Sequence, residues 1–413
     1  MRHHGVVSTR TAPTPLDEAA LRRLREVDAG RPFGLYLHVP FCASRCGYCD
    51  FNTYTAGELG SSSSPESWFE AVRIELAQAA RLLSPARPVS TIFVGGGTPS
   101  LLGADGLAHL LAAVRAEFDL APGVEVTTES NPESTSPEFF ERLRGAGYTR
   151  ISLGMQSAAE HVLAVLERRH TPGRALAAAR EAAAAGFEHL NLDLIYGTPG
   201  ESDDDLARSL DAVLSVPVDH VSAYALIVED GTAFARKVRR GEVPMPDDDV
   251  LAARYEMLDA RLSEAGLTWY EVSNWAAADA AGLPRAEAAC RHNEAYWRSD
   301  DWWGIGPGAH SHVGGVRWWN QKHPATYAAS LADGALPIGG SEILSDDDRH
   351  TETVMLALRM REGLPAAALT AAERARAELV IADGLLTRAG QRYVLTDRGR
   401  LLADGVIRDI LVD

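Results

Sequence analysis

The stretch HVPFCASRCGYCDF, residues 38–51, gathers three of the four cysteines of this 413-residue chain, Cys42, Cys46 and Cys49, within eight positions. It follows an apolar run, Leu35 to Val39, and so reads as the loop leaving a first strand. Cysteines crowded in this way make a poor disulfide framework and a good metal site. A C-x3-C-x2-C loop can bring three thiolates to three corners of a cubane iron–sulfur cluster and leave the fourth iron without a protein ligand. A zinc site needs a fourth donor, for which His38 and Asp50 are nearest. Three unrelated core cysteines are the remaining reading.

Outward from this loop, short apolar runs alternate with alanine-rich or leucine-rich stretches of helical spacing. The runs are Leu35 to Val39, Thr91 to Val94, Val124 to Thr128, Arg150 to Leu153, His189 to Ile195 and His220 to Ile227. Helices are expected at Pro65 to Leu83, Ala104 to Glu117, Pro137 to Gly145, Ala158 to Glu167, Pro172 to Ala185 and Asp203 to Val213. Several open on Ser, Thr or Asp and close on Gly, as caps require. Strand–helix alternation with continuous apolar strands predicts an α/β fold with a parallel sheet, either curled into a barrel or open and doubly wound. Past Pro246 the rhythm changes to a helix (Asp247 to Ala265), a short strand (Trp269 to Val272) and a region rich in Trp and Gly up to Asn320. Beyond Asp346, a helix at His350 to Arg361 and the strand–turn–strand LLTRAGQRYVLT (385–396) suggest a small unit like a winged helix. Ser61 to Ser64 reads as an exposed loop tip, and Thr11 to Pro15 breaks any pattern in the first 30 residues.

Hydrophobic residues make up 46% of the chain and charged residues 23%, enough apolar mass for a packed core without disulfide staples. The formal net charge of -17 repels phosphate backbones, so no nucleic-acid partner is expected. Asp346, Asp347, Asp348, Asp404, Asp409 and Asp413 extend that argument to the C-terminal unit. No apolar run approaches the roughly 18 to 20 residues that cross a bilayer, and residues 1–15 lack the apolar segment of a secretory signal. A cytoplasmic location follows as the expectation, with membrane association only through a partner.

Polar residues collect at strand ends. Gly95, Gly96 and Gly97 close the second run, where the lack of a Cβ lets backbone approach a ligand. Glu129 and Asn131 end the third run, Gln156 ends the fourth, and Asp193 lies in the fifth. A polar side chain in a buried strand must be paired, so these form an internal hydrogen-bond network or face a shared ligand.

Taken together, the cysteine loop after a first strand resembles the signature of the radical S-adenosylmethionine (SAM) superfamily. The resemblance implies a partial (β/α)6 barrel and a 4Fe-4S cluster on Cys42, Cys46 and Cys49, whose open iron chelates SAM and delivers the electron that cleaves it. It also implies that Tyr36, Tyr48, Gly96, Gly97, Thr98, Glu129, Gln156, Arg168 and Asp193 contact SAM. At Arg168 the string LERRH departs from the pattern, with Glu167 where relatives often have Gly and a second arginine alongside.

CGYCDF, GGGTPS, RISLGMQS, NLDLIYGTPGES and RHNEAYW are further similar to the group that unites oxygen-independent coproporphyrinogen III oxidase with the HemW heme chaperones, from about Gly34 to the C-terminus. The oxidase branch has a cysteine two residues after the third cluster ligand, where this chain has Phe51. The HemW branch has an H-N-x-x-Y-W motif, present here as His292, Asn293, Tyr296 and Trp297. Imidazole is a good axial ligand for heme iron and aromatics stack on porphyrin faces; equally, RHNEAYW can be a buried helix cap with an aromatic core contact. His310 and His312 either line the same cavity or form a turn, and Cys290 is a small core residue or a thiolate contact. The resemblance implies a leader (1–33), a barrel core (34–245), an extension carrying the motif (246–340) and the winged-helix-like unit (341–413). It implies a protein that binds SAM and heme, through His292, and hands heme to an acceptor such as a respiratory cytochrome. The rival is oxidative decarboxylation of coproporphyrinogen III, and a third reading is a scaffold that keeps the fold for protein interaction alone.

Overall fold

The structure, a computed structural model, describes residues 16–411 apart from 28, 29, 62, 86 and 169. Most of the expected leader, part of the serine loop tip and Asp413 lie outside the described residues.

Six strands run parallel in chain order: β1 (Phe33–Val39), β2 (Val89–Gly96), β3 (Leu120–Ser130), β4 (Arg150–Gln156), β5 (His189–Tyr196) and β6 (His220–Ala225). Their crossovers are helices, and the sequence explains the boundaries. Pro65–Leu82 starts with Ser64 accepting from the Ser67 N–H and Pro65 at the first helical position, where no N–H is missed. Pro137–Ala146 is capped by Ser136 and stops at Gly147, whose φ of +106° favours a residue without a Cβ. Strand β4 is buried along its whole length, as a parallel strand covered on both faces must be.

The two flanks of this unit are built by later sequence. β7 (Leu267–Glu271) and β8 (Asn274–Ala277) add antiparallel strands beyond β6. On the other side β9 (Asp301–Ile305) lies parallel to β1, with Phe33 opposite Asp301 and Leu37 opposite Ile305, and β10 (His310–Val313), β11 (Val316–Asn320) and β12 (Ile338–Ile343) follow antiparallel. The order of the 12-stranded sheet is β12-β11-β10-β9-β1-β2-β3-β4-β5-β6-β8-β7. Its two ends are not paired with each other, so the sheet is a partial barrel rather than a closed one.

One core cluster runs from Leu16 to Ile338 and a second from Val354 to Ile410. The expected 246–340 extension therefore shares the barrel's own core, through Trp275, Trp303 and Trp318, each at most 1% exposed. In the C-terminal unit, strands Leu386–Ala389 and Arg392–Leu395 pair antiparallel, with Leu364–Pro365 on the far side of the second. The helix expected from His350 begins instead at Asp346, because Ser345 and Asp348 form a capping box and three aspartates meet the positive end of the helix dipole. This unit docks through Arg400, whose guanidinium bonds Asp259 and lies 4.6 Å from the Trp269 ring centroid. No helix among the described residues is long and apolar enough to cross a membrane.

Candidate functional site

The cysteine loop leaves the C-terminal end of β1 and is tied down at both ends. Phe41–Cys42 and Tyr54–Thr55 form a short parallel ribbon, the Cys49 N–H donates to the Cys46 carbonyl at 3.2 Å, and the Gly47 N–H reaches the Leu166 carbonyl at 3.3 Å. All three cluster cysteines are half-buried. Burial pushes the Cys49 thiol up to about 11 and raises Cys42 as well, so loading iron here has to drive off protons. Thr98 Oγ1 lies 3.9 Å from Cys42 Sγ, and Arg168 Nη1 lies 3.5 Å from Cys46 Sγ. Among the described residues no three His, Cys, Asp or Glu side chains converge on a point for a single ion. His38 has no nitrogen to offer to one, since Nδ1 is bonded to the Tyr36 hydroxyl at 3.0 Å and Nε2 to the Asn52 carbonyl at 2.9 Å.

The glycine run is pressed against this loop. A Cβ on Gly97 would lie 2.5 Å from the Phe41 carbonyl oxygen, and one on Gly96, whose φ is +111°, would lie 2.6 Å from the His38 ring. The Gly97 and Thr98 amides donate to the Val39 and Phe41 carbonyls, both at 2.8 Å. Close approach to the cysteine loop is thus reason enough for glycine here.

Two carboxylates face one another in the lumen above β3 and β5. Burial raises Glu129 to about 8, helped by the nearby charge of Asp193, while the Gly96 amide at 3.0 Å pulls the other way. Burial likewise raises Asp193 to about 6, against hydrogen bonds from Asn191 at 2.6 Å and Ser152 at 3.1 Å. Arg168 spans from the lumen to Cys46 and donates through Nε to His170 Nε2 at 2.9 Å. Gln156 ends β4 with φ of +69°, a conformation that costs a side chain of this kind about 1–3 kcal/mol and marks a held position. Tyr48 packs with Val165 against the core under the loop. Asn131, grouped by sequence with these residues, instead caps the short helix Pro132–Ser134 by accepting from the Glu133 N–H at 3.1 Å.

The H-N-x-x-Y-W segment is not at this end. Helix Arg291–Trp297 closes the N-terminal ends of the strands, and His292 is 1% exposed. Its Nδ1 is bonded to Thr91 Oγ1 on β2 and its Nε2 to the Tyr296 hydroxyl, both at 2.9 Å, while the ring stacks on Phe93. Burial alone lowers its pKa to about 3. Both ring nitrogens of His292, the residue expected as a heme ligand, are thus hydrogen-bonded within the protein. Glu125 on β3 accepts from the His292 and Arg291 amides at 3.0 and 3.1 Å, and Arg150 Nη2 on β4 donates to the carbonyls of Glu287, Ala288 and Ala289. Cys290 is buried beside Glu125, its Sγ 3.6 Å from Oε1.

Comparison with known proteins follows this geometry. The profile of the radical SAM superfamily matches residues 36–213, and that of the HemN C-terminal domain matches residues 344–402. A protein of Mycobacterium tuberculosis (strain H37Rv) named heme chaperone HemW is 63% identical over 382 residues, covering 92% of this chain and 95% of that one. The chain belongs to the HemW family of the radical SAM superfamily. A HemW of Escherichia coli K12 is 31% identical, with 92% of this chain and 99% of the relative covered. The coproporphyrinogen III oxidase HemN of Escherichia coli superimposes with a TM-score of 0.81 at 22% identity over 96% of this chain and 94% of its own, a likeness of fold. Superfamily membership implies a 4Fe-4S cluster and SAM. Sequence reasoning missed Thr91, Glu125 and Arg150, because each gains its partners only at long range, and His170, which sits in the irregular segment after Arg168; a charged pair inside two otherwise apolar runs, Glu125 and Arg150, was the available signal.

Proposed function

We propose that this HemW-family chain carries a 4Fe-4S cluster on Cys42, Cys46 and Cys49, binds SAM across the C-terminal ends of the parallel strands, and takes up heme in the cytoplasm for delivery to an acceptor hemoprotein such as a respiratory cytochrome. The observation that carries the reading is 63% identity over 92% of the chain to a protein named for heme chaperoning. Phe51, standing where the oxidase branch has a further cysteine, argues in the same direction.

The cysteine loop suits such a cluster: three half-buried thiols, no fourth protein ligand gathered with them among the described residues, and Arg168 and Thr98 positioned at two of the sulfurs. When bound, the cluster supplies one-electron chemistry at a sulfonium. The chain's own contribution is electrostatic. Burial holds both Glu129 and Asp193 partly protonated, with the charge of Asp193 adding to the effect on Glu129, so a cationic ligand entering the lumen is met by two acids that ionise against it. Gly96 orients Glu129, and Ser152 and Asn191 orient Asp193.

Anaerobic reconstitution with iron and sulfide assay, followed by electron paramagnetic resonance of the reduced protein with and without SAM, tests the site. Loss of iron in Cys42→Ala, Cys46→Ala and Cys49→Ala and a SAM-dependent change of signal are expected; an unchanged signal removes SAM from the cluster. Incubation with SAM, reductant and coproporphyrinogen III separates the rival, since protoporphyrinogen IX at catalytic rates would replace the chaperone reading by the oxidase one.

A further inference from the structure

Heme is held by an axial ligand on iron, by flat contacts to the macrocycle and by cations near its carboxylates, and among the described residues three buried histidines have no nitrogen to give. His38 and His292 have both committed, as does His220, bonded to Asn191 Oδ1 at 2.7 Å and to the Tyr270 hydroxyl at 2.8 Å. His312 is 6% exposed, with Nδ1 held by the Asp300 carbonyl at 3.2 Å. His310 is different. It starts β10 with an exposed ring whose nitrogens carry no hydrogen bond among the described residues, braced only by the edge of Trp319 at 6.0 Å.

That ring lines a cavity of about 290 Å³ with Tyr36, Phe51, Asn52, Tyr296 and Trp302. The volume is near the lower limit of ordinary ligand pockets, about 300 Å³, and suits one edge of a large flat molecule rather than an enclosed small one. Phe51 stands 59% exposed at this cavity, an unusual position for a phenylalanine with no partner ring, while Tyr296 and Trp302 meet edge to face at 4.7 Å opposite it. Partial burial, with Lys322 and Arg317 nearby, lowers the His310 pKa, which keeps the imidazole in its neutral, ligating form. Arg317 is engaged by Glu342 and Glu352, whereas Lys322 makes no ion pair among the described residues and is free to meet a carboxylate.

Resting on the heme-binding reading, we propose that His310, not the motif residue His292, is the axial ligand of heme iron in this chain, with Phe51 against the macrocycle and Lys322 on a propionate. The cavity's wall includes Phe51 and Asn52, the exit of the cysteine loop, together with Tyr36 of β1, so the cargo is held beside the cluster site.

Titration of the full-length protein with ferric heme, read by Soret absorbance and magnetic circular dichroism, tests this. The wild type is expected to give a histidine-ligated spectrum. His310→Ala is expected to lose that signature and bind at least about tenfold more weakly, about 1.4 kcal/mol, with free imidazole restoring the spectrum. His292→Gln, verified as folded by circular dichroism, is expected to keep the wild-type spectrum. An unchanged spectrum and affinity in His310→Ala overturns the assignment, as does loss of the signature in folded His292→Gln alone. A wild-type protein that binds no heme at all brings down the chaperone reading itself, a result distinct from either.

Discussion

The buried pair Glu125 and Arg150 is the place where the structure makes its most quantitative demand. Their side chains are 5% and 2% exposed, with Arg150 Nε 3.5 Å from Glu125 Oε2. Burial works against the guanidinium's charge, but Glu125, Cys290, Asp219 and Tyr270 together outweigh it, so Arg150 is held above its ordinary pKa. Between them the two side chains bond five backbone groups of residues 287–292, so their joint task is to seat the motif helix under the barrel. Arg150→Met leaves the buried carboxylate with only the partly exposed Arg291 guanidinium, 3.9 Å away, and should cost about 3–5 kcal/mol. Glu125→Gln leaves the guanidinium unpaired and should cost a similar amount. The double variant carries no buried charge, and its Gln still accepts an amide, so its loss should fall short of the sum by at least about 2 kcal/mol. Urea unfolding followed by tryptophan fluorescence measures the three losses, and hydrogen exchange at the Arg291 and His292 amides reports whether the helix loosens first. Losses that add to within about 0.5 kcal/mol would show that the residues act independently and would refute the clamp.

Gly97→Ala should cost about 1–3 kcal/mol by pushing on the Phe41 carbonyl and should lower iron and sulfide content after reconstitution, whereas Gly57→Ala, with nothing within 4 Å of the added methyl, should change neither. In the cluster-free protein, Glu129 and Asp193 both have folded pKa values above their unfolded ones, so their contribution is intact near pH 4 and is lost as pH rises through about 6 and about 8. Glu129→Gln should therefore narrow the stability difference between acid and alkaline buffer by about 1–3 kcal/mol, and an unchanged pH profile of unfolding would refute the raised pKa. Asn52→Ala removes bonds to the Pro307 and Lys322 carbonyls at 2.9 and 2.8 Å and should cost about 1–3 kcal/mol, lowering both iron retention and heme affinity; a change in only one of the two would separate the cysteine loop from the cavity beside it.

The parallel unit was legible because its signals are local. The six apolar runs lie within the six strands apart from Leu226 and Ile227, which fall past the end of β6, and the caps at Ser64, Ser136 and Ser202 are short-range sequence features. The flanks were not legible, because they depend on pairing at long range. Nothing near Trp302 announces that it will lie opposite Gly34, some 270 positions earlier, and a stretch with Gly304, Gly306, Gly308, Gly314 and Gly315 reads as turns rather than strands. Gly304 is there because strands β9 and β10 pass so close that a Cβ on it would lie 2.2 Å from the His310 carbonyl oxygen, and Gly306 because one would lie 2.6 Å from the His38 carbonyl oxygen. The same distinction governs the site. The cysteine spacing is a local fact of the chain, whereas Thr91 finding His292, and Glu125 finding Arg150, are products of curvature that brings inner faces of separate strands together.

That curvature also explains why a histidine conspicuous in sequence sits where it does. A parallel barrel has two ends, and in this chain the inner polar side chains divide between them. Glu129, Asp193 and Arg168 face the end where the cysteines stand, while Glu125, Arg150 and Thr91 are consumed at the other by the helix that carries His292 and the segment leading into it. A seated helix keeps water from entering the lumen from below, which sustains the desolvation that raises Glu129 and Asp193 above it. The motif thereby acts on the cluster end through the lumen, and its last aromatic turn, through Tyr296 against Trp302, forms the floor of the lateral cavity. Asn52 closes the circuit from above, its carbonyl on His38 and its amide on the β9–β10 turn. A chaperone has to hold a large flat cargo without enclosing it. An unclosed sheet, with one wall of the cavity built by the cysteine loop and another by the motif helix, leaves such a cavity open on one side while Asn52 ties the loop to the β9–β10 turn.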